Sequence, residues 1–151
     1  MTAVAVAGEA AEVALAETQA VLAMARDQGY RDRLADVVAA VSDGQIFENE
    51  AADLEQVLEL GLQSGRIRAV YGPSGEQAAL RLYRRLPRGA ALAESAREVT
   101  EALEALRGKP LEAIELSAVG PGAFSLSLAA DGLELSLRLD RQGARIASVG
   151  A

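Results

Sequence analysis

The chain has 151 residues, enough for one ordinary domain, and 50% of them are apolar but only 3% aromatic, so its core must be built from Leu, Val and Ala. It contains no histidine and no cysteine, which excludes thiol nucleophiles, disulfides, Cys/His zinc sites, haem ligation by His and the usual neutral-pH proton shuttle. The net charge of −7 conceals a reversal of sign: residues 1–63 hold twelve acids and three bases, whereas residues 64–91 hold six arginines and one acid, Glu76.

The first segment, Met1 to Ala25, carries Glu9, Glu12 and Glu17 and no base before Arg26, so it does not read as a secretory signal. Its spacing predicts a helix from Ala3 to Arg26 with two apolar stripes: Val6, Ala10, Val13, Ala20 and Met24, and Val4, Ala11, Leu15 and Leu22. A helix apolar on two sides is either sandwiched inside its domain or shared with another subunit. Asp27-Gln28-Gly29 breaks it. A second helix buries Leu34, Val37, Val38 and Val41, and stops at Ser42-Asp43-Gly44. A third opens on Glu48-Asn49-Glu50, buries Leu54, Val57, Leu58 and Gly61, and closes at Gln63-Ser64-Gly65. The acids in its first turns match the helix dipole and call for no metal; a di-metal carboxylate site would need histidine.

Arg66 to Tyr71 alternates, with Ile67, Ala69 and Tyr71 opposite Arg66 and Arg68, and predicts a short strand or extended connection. Gly72-Pro73-Ser74-Gly75-Glu76-Gln77 imitates the opening of a phosphate-binding loop. The second glycine, the lysine and the metal-binding hydroxyl are all missing, so Walker A is rejected. The plainer reading has Ser74 capping a fourth helix, Gly75 to Arg85, with Gln77 completing an S-x-x-Q capping box. The helix start, with the surrounding arginines, also forms a candidate site for an anion or a partner: Arg66, Arg68, Ser74, Gly75, Arg81, Arg84, Arg85 and Arg88. The bland alternative is an internal match between this basic block and the acidic first half.

Leu86-Pro87-Arg88-Gly89 ends the fourth helix. A fifth, 91–107, has the cleanest stripe, with Leu92, Ala96, Val99, Leu103 and Leu106, before Gly108 and Pro110 stop it. From Leu111 the period changes to two. Four strands follow, turning at Gly120-Pro121-Gly122, Asp131-Gly132 and Gln142-Gly143; Leu133, Leu135, Leu137 and Leu139 alternate with Glu134, Ser136, Arg138 and Asp140.

The expected fold is α+β: about five helices (helical layer 1–107), then a four-stranded antiparallel meander (111–149) covered on one face by helix 91–107, in a single domain spanning 1–151. The other face, with Ser125, Ser127, Glu134, Ser136 and Arg138, is solvated or a docking surface. A curved sheet crossed by helices can also enclose a pocket, an architecture similar to cystatin-like folds.

No nucleophile elbow is present, and the one lysine, Lys109, lies at a predicted turn, so no catalytic residue, metal or cofactor is assigned. The leading functional expectation is a non-catalytic accessory protein of an assembly, self-associating, with a protein partner or itself as partner. A small-ligand or small-anion-binding α+β protein is the alternative. A regulatory nucleic-acid role is disfavoured by the acidic balance. No stretch approaches a membrane span, which points to the cytoplasm, and the near-exclusive use of Arg with abundant Ala and Gly suggests a GC-rich bacterial source.

Overall fold

A computed structural model describes residues 2–150. The order of elements is β1 (Val4–Ala5), α1 (Gly8–Met24), α2 (Gln28–Asp43), β2 (Gln45–Ile46), α3 (Glu48–Gln63), α4 (Arg66–Tyr83) and α5 (Pro87–Leu103). A 3-10 turn (Glu104–Leu106) leads into β3 (Ala113–Gly120), β4 (Ala123–Ala130), β5 (Leu133–Asp140) and β6 (Gly143–Gly150). The class is α+β, as expected. Contacts divide the chain into two compact units, Met1–Ala90 and Ala91–Ala151, and the division falls within α5.

In the helical unit, α1 packs against α2, α3 and α4. Most of its two apolar stripes is thus used within the unit: Val13 is buried, Ala10, Ala11, Leu15, Ala20 and Leu22 are half-buried, and Met24, at the end of the first stripe, is exposed instead. The helix starts at Gly8 rather than Ala3. Val4 and Ala5 before it form a strand, and Val4 pairs with Ile46 in a two-stranded ribbon in which Ile46 is buried, as is the neighbouring Val6. Asp27 accepts the Tyr30 N–H at 2.8 Å and so caps α2, while Gly44 ends it in the left-handed conformation. The Glu50 carboxylate accepts the Phe47 N–H at 3.0 Å at the start of α3. Leu34, Val37, Leu54 and Leu58 form the centre of this core, on the faces expected from their spacing.

Two expectations fail between Arg66 and Gln77. Arg66 to Tyr71 is helical, not extended: it is the first part of α4, entered from a left-handed Gly65 whose carbonyl accepts the Ala69 N–H at 3.0 Å. Six residues that alternate also contain the i, i+4 pair Ile67 and Tyr71, and that pair faces inward here; a run this short satisfies both periods. Ser74 is not the cap of a new helix. Gly72, at φ 75° and ψ −179°, kinks α4 in a conformation that only glycine adopts readily, Pro73 restarts it, and the Ser74 hydroxyl turns instead to the Glu9 carboxylate. α4 ends at Tyr83, two residues before the expected Arg85, and Pro87 begins α5 four residues earlier than expected.

In the sheet unit the strands pair in sequence order, β3-β4-β5-β6, all antiparallel. Rows of apolar side chains cross the sheet, as in Leu116–Leu126–Leu137 and Ile114–Leu128–Leu135. The residues of α5 from Ala91 onward, with the 3-10 turn, lie on that face: Val99 and Leu106 form a core with Ala130, Leu135 and Leu137, and Leu103, Leu126 and Leu128 pack around it. Leu92 lies against Gly143, and the Ser95 hydroxyl donates to the Ala144 carbonyl, so the helix is tied to the β6 side. Apolar side chains of both outer strands remain bare on that face: Ile114 is 62% and Leu116 61% exposed on β3, and Val149 61% on β6. Ala96, assigned to the buried stripe from spacing, faces out, and Ser95 takes its place.

Candidate functional site

Three of the six members of the arginine block form ion pairs, two of them, Arg66 and Arg88, with the acidic helices of the first half and one, Arg68, within α4. Arg66 Nε donates to both oxygens of Glu17 at 3.1 and 3.2 Å, and the Tyr71 hydroxyl donates to the same carboxylate at 2.9 Å. Glu17 is only 2% exposed and lies in the middle of α1, where it binds α1 to the first part of α4. Burial and the bond to Glu17 both hold the Tyr71 hydroxyl above its ordinary pKa. Arg68 pairs with Glu76 across the Gly72 kink at 3.3 Å.

Arg88 closes a second cluster. Its backbone N–H donates to Glu55 at 3.1 Å and its guanidinium pairs with Glu59 at 3.3 Å; the Tyr83 hydroxyl also donates to Glu59, at 2.7 Å. Burial raises the pKa of Glu55, which is 4% exposed, against the lowering pull of the Arg88 N–H and charge. Tyr83 is pushed well above its ordinary value by burial first and by Glu59 second. Every buried acid of the helical unit is thus engaged by partners that hold helices together, a role that the sequence did not single out for Glu17 or Glu55. Their positions are legible only afterwards: Glu17 falls in the first α1 stripe, between Val13 and Ala20, and Glu55 follows Leu54 onto the inner face of α3.

The candidate anion loop is filled from within. Ser74 donates to Glu9 at 2.7 Å, placing a carboxylate beside the hydroxyl, and Gly75 is packed so closely that a Cβ there would lie 2.4 Å from the Tyr71 Cβ. Ser74 and Gly75 are therefore not brought together with Arg81, Arg84 or Arg85 around an open space.

Those three arginines form a separate group at the end of α4. Among the described residues none of them has a carboxylate within 4.0 Å, and all are exposed. The C-terminal end of a helix carries partial negative charge, which offsets part of their mutual repulsion. Arg81 and Arg85, one turn apart, line an open cleft of ≈ 310 Å³ whose opposite wall is Val6, Glu9 and Ala10 at the start of α1. Arg84 is not among the residues that line that cleft. The site is basic, solvent-facing and shallow. It can hold an acidic group by charge, and the Glu9 carboxylate, which accepts from the Ser74 hydroxyl, is part of its lining.

Among the described residues no group of three or more Asp and Glu is placed to hold a metal ion, and no helix is long and apolar enough to cross a membrane. Compared with protein families, curated proteins and solved structures, the chain matches none.

Proposed function

We propose that this chain is a non-catalytic interaction protein of a bacterial cytoplasmic assembly, that it self-associates, and that it docks an acidic partner through Arg81, Arg84 and Arg85. One observation carries this reading: half of the arginine block is consumed in internal ion pairs, whereas among the described residues Arg81, Arg84 and Arg85 are exposed and form no ion pair, although Glu9 lines the same cleft as Arg81 and Arg85. Three guanidiniums at one helix end form a local positive field in a protein of net charge −7, which steers a complementary surface to one place on the molecule. The engagement of Glu17, Glu55 and Glu59 by structural partners supports a role without chemistry.

The test is capture of partners from native extract, with the intact chain and with a triple variant, Arg81→Ala, Arg84→Ala and Arg85→Ala. Arg97→Ala, an exposed arginine of the sheet unit, serves as control. A stoichiometric protein retained by the intact chain and by the control, released by salt, and lost with the triple variant is the expected result. A partner retained equally by the triple variant would remove the arginines from the interface. No partner at all would sink the docking reading.

The cleft beside Arg81 and Arg85 favours a second reading, a small oxyanion as ligand. A phosphate titration separates the two: thermal stabilisation of the intact chain that Arg81→Ala abolishes supports the ligand, and an unchanged melting curve rejects it.

A further inference from the structure

The cleft between the start of α1 and the end of α4 carries opposite charges on its two walls. Arg81 and Arg85 belong to the α4 side and Glu9 to the α1 side, and Val6, Ala10, Ala78 and Leu82 supply apolar lining. Among the described residues neither guanidinium comes within 4.0 Å of the Glu9 carboxylate, which instead accepts from the Ser74 hydroxyl at 2.9 and 2.7 Å. Glu9 and both arginines are exposed, so the three charges border an open space of ≈ 310 Å³ without closing it by an ion pair.

We propose that this cleft binds a free aliphatic α-amino acid as its zwitterion, with the carboxylate on Arg81 and Arg85 and the ammonium on Glu9. This names a ligand class for the oxyanion reading above and rests on it for the carboxylate half. Charge matching selects the class. An inorganic dianion gains from the arginines but meets the negative charge of Glu9 in the same cleft, and a simple amine gains from Glu9 but meets two guanidiniums. A molecule with an ammonium and a carboxylate on one carbon satisfies both walls, and the planar guanidinium fork suits a carboxylate through two parallel hydrogen bonds.

The lining sets the rest of the ligand. Val6, Ala10, Ala78 and Leu82 have no hydrogen-bonding side chain, so an aliphatic group fits against them and a polar one would lose water without gaining a partner. The volume lies at the low end of the roughly 300–1,000 Å³ that small-molecule sites occupy, which suits a single amino acid rather than a longer peptide. Because all three charges are exposed, salt screens both contacts, and binding weakens as ionic strength rises.

The experiment uses the full chain and titration calorimetry with leucine. Three other ligands run beside it: N-acetyl-leucine, which lacks the ammonium, leucinamide, which lacks the carboxylate, and inorganic phosphate. Glu9→Gln and Arg81→Ala each remove one charge from one wall. Both positions are exposed, and the glutamine amide oxygen still accepts from Ser74, so both variants should keep the fold, which their circular dichroism checks. The proposal expects leucine to bind, each of its two analogues to bind about tenfold or more weaker, and each variant to raise the leucine dissociation constant about tenfold or more. N-acetyl-leucine or phosphate binding as tightly as leucine, or in its place, would leave the oxyanion reading standing and overturn the zwitterion. Leucinamide equal to leucine, or leucine binding indifferent to Glu9→Gln or to Arg81→Ala, would also overturn it. No heat from any of the four ligands would remove both readings of the cleft together.

Discussion

The two compact units solve the same problem to different degrees. In the helical unit, apolar stripes meet apolar stripes, and the acids that fall on inner faces are matched by Arg66, Tyr71, Tyr83 and Arg88. In the sheet unit one helix covers a diagonal band, and Ile114, Leu116, Ile146 and Val149 remain in solvent. A sheet of four strands is wider than a single helix, whose diameter with side chains is roughly 10–12 Å against strands about 4.8 Å apart. The difference teaches that the helical unit is complete as a packing problem and the sheet unit is not.

This comparison can be broken at several points. Leu54, at the centre of the helical core and fully buried, should cost about 2–5 kcal/mol when replaced by Ala, measured from the urea midpoint of the helical circular-dichroism signal. A cost below about 1 kcal/mol would show that this core is loosely packed. Next in size is Glu17→Ala. It strands Tyr71 and Arg66 and should cost about 1.5–3 kcal/mol, toward the lower end because Arg66 is half exposed to solvent. Tyr71→Phe removes only one of these bonds and should cost less; equal losses would mean that the ion pair adds nothing.

The third test concerns pH. Burial holds the pKa of Glu55 above its ordinary 4.5, so the folded state keeps that proton to higher pH than the unfolded chain does. The stability this contributes is fully present below the ordinary value and is lost as pH rises through the raised one. Glu55→Gln stays neutral and should flatten the pH dependence of the urea midpoint across that window. An unchanged slope would show that another group controls it. The smallest effect is expected in the sheet unit: Leu116→Ser, at a concentration where the chain is monomeric, should shift stability by no more than about 0.5 kcal/mol because its side chain is already in water. A loss of several times that would mean that something within the same chain covers β3.

Much of this architecture is legible from periodicity. The leucine alternation of β5 and the Val99 and Leu106 positions of α5 are where their spacing puts them, because one face of each was buried by a neighbour of matching period. The misreading of Arg66 to Tyr71 has the opposite cause. A short run beside two glycines has no dominant period, and its helix is imposed by burial of Ile67 and by Glu17, which is 49 residues away from Arg66 in sequence. The candidate site was legible only as a block. Charge counting found the six arginines, but the neutralisation of Arg66 and Arg88 depends on contacts between distant helices, and no local pattern reports those.

The Gly72 kink has a consequence for motion. It leaves Arg66 to Tyr71 as a helical segment of fewer than two turns, far below the length at which a helix persists by its own hydrogen bonds. That segment therefore borrows its order from α1 through Glu17. Its amide hydrogens should exchange with solvent through a local opening in which the α1 attachment is lost while the far half of α4 stays folded, making this corner the first part of the helical unit to come loose.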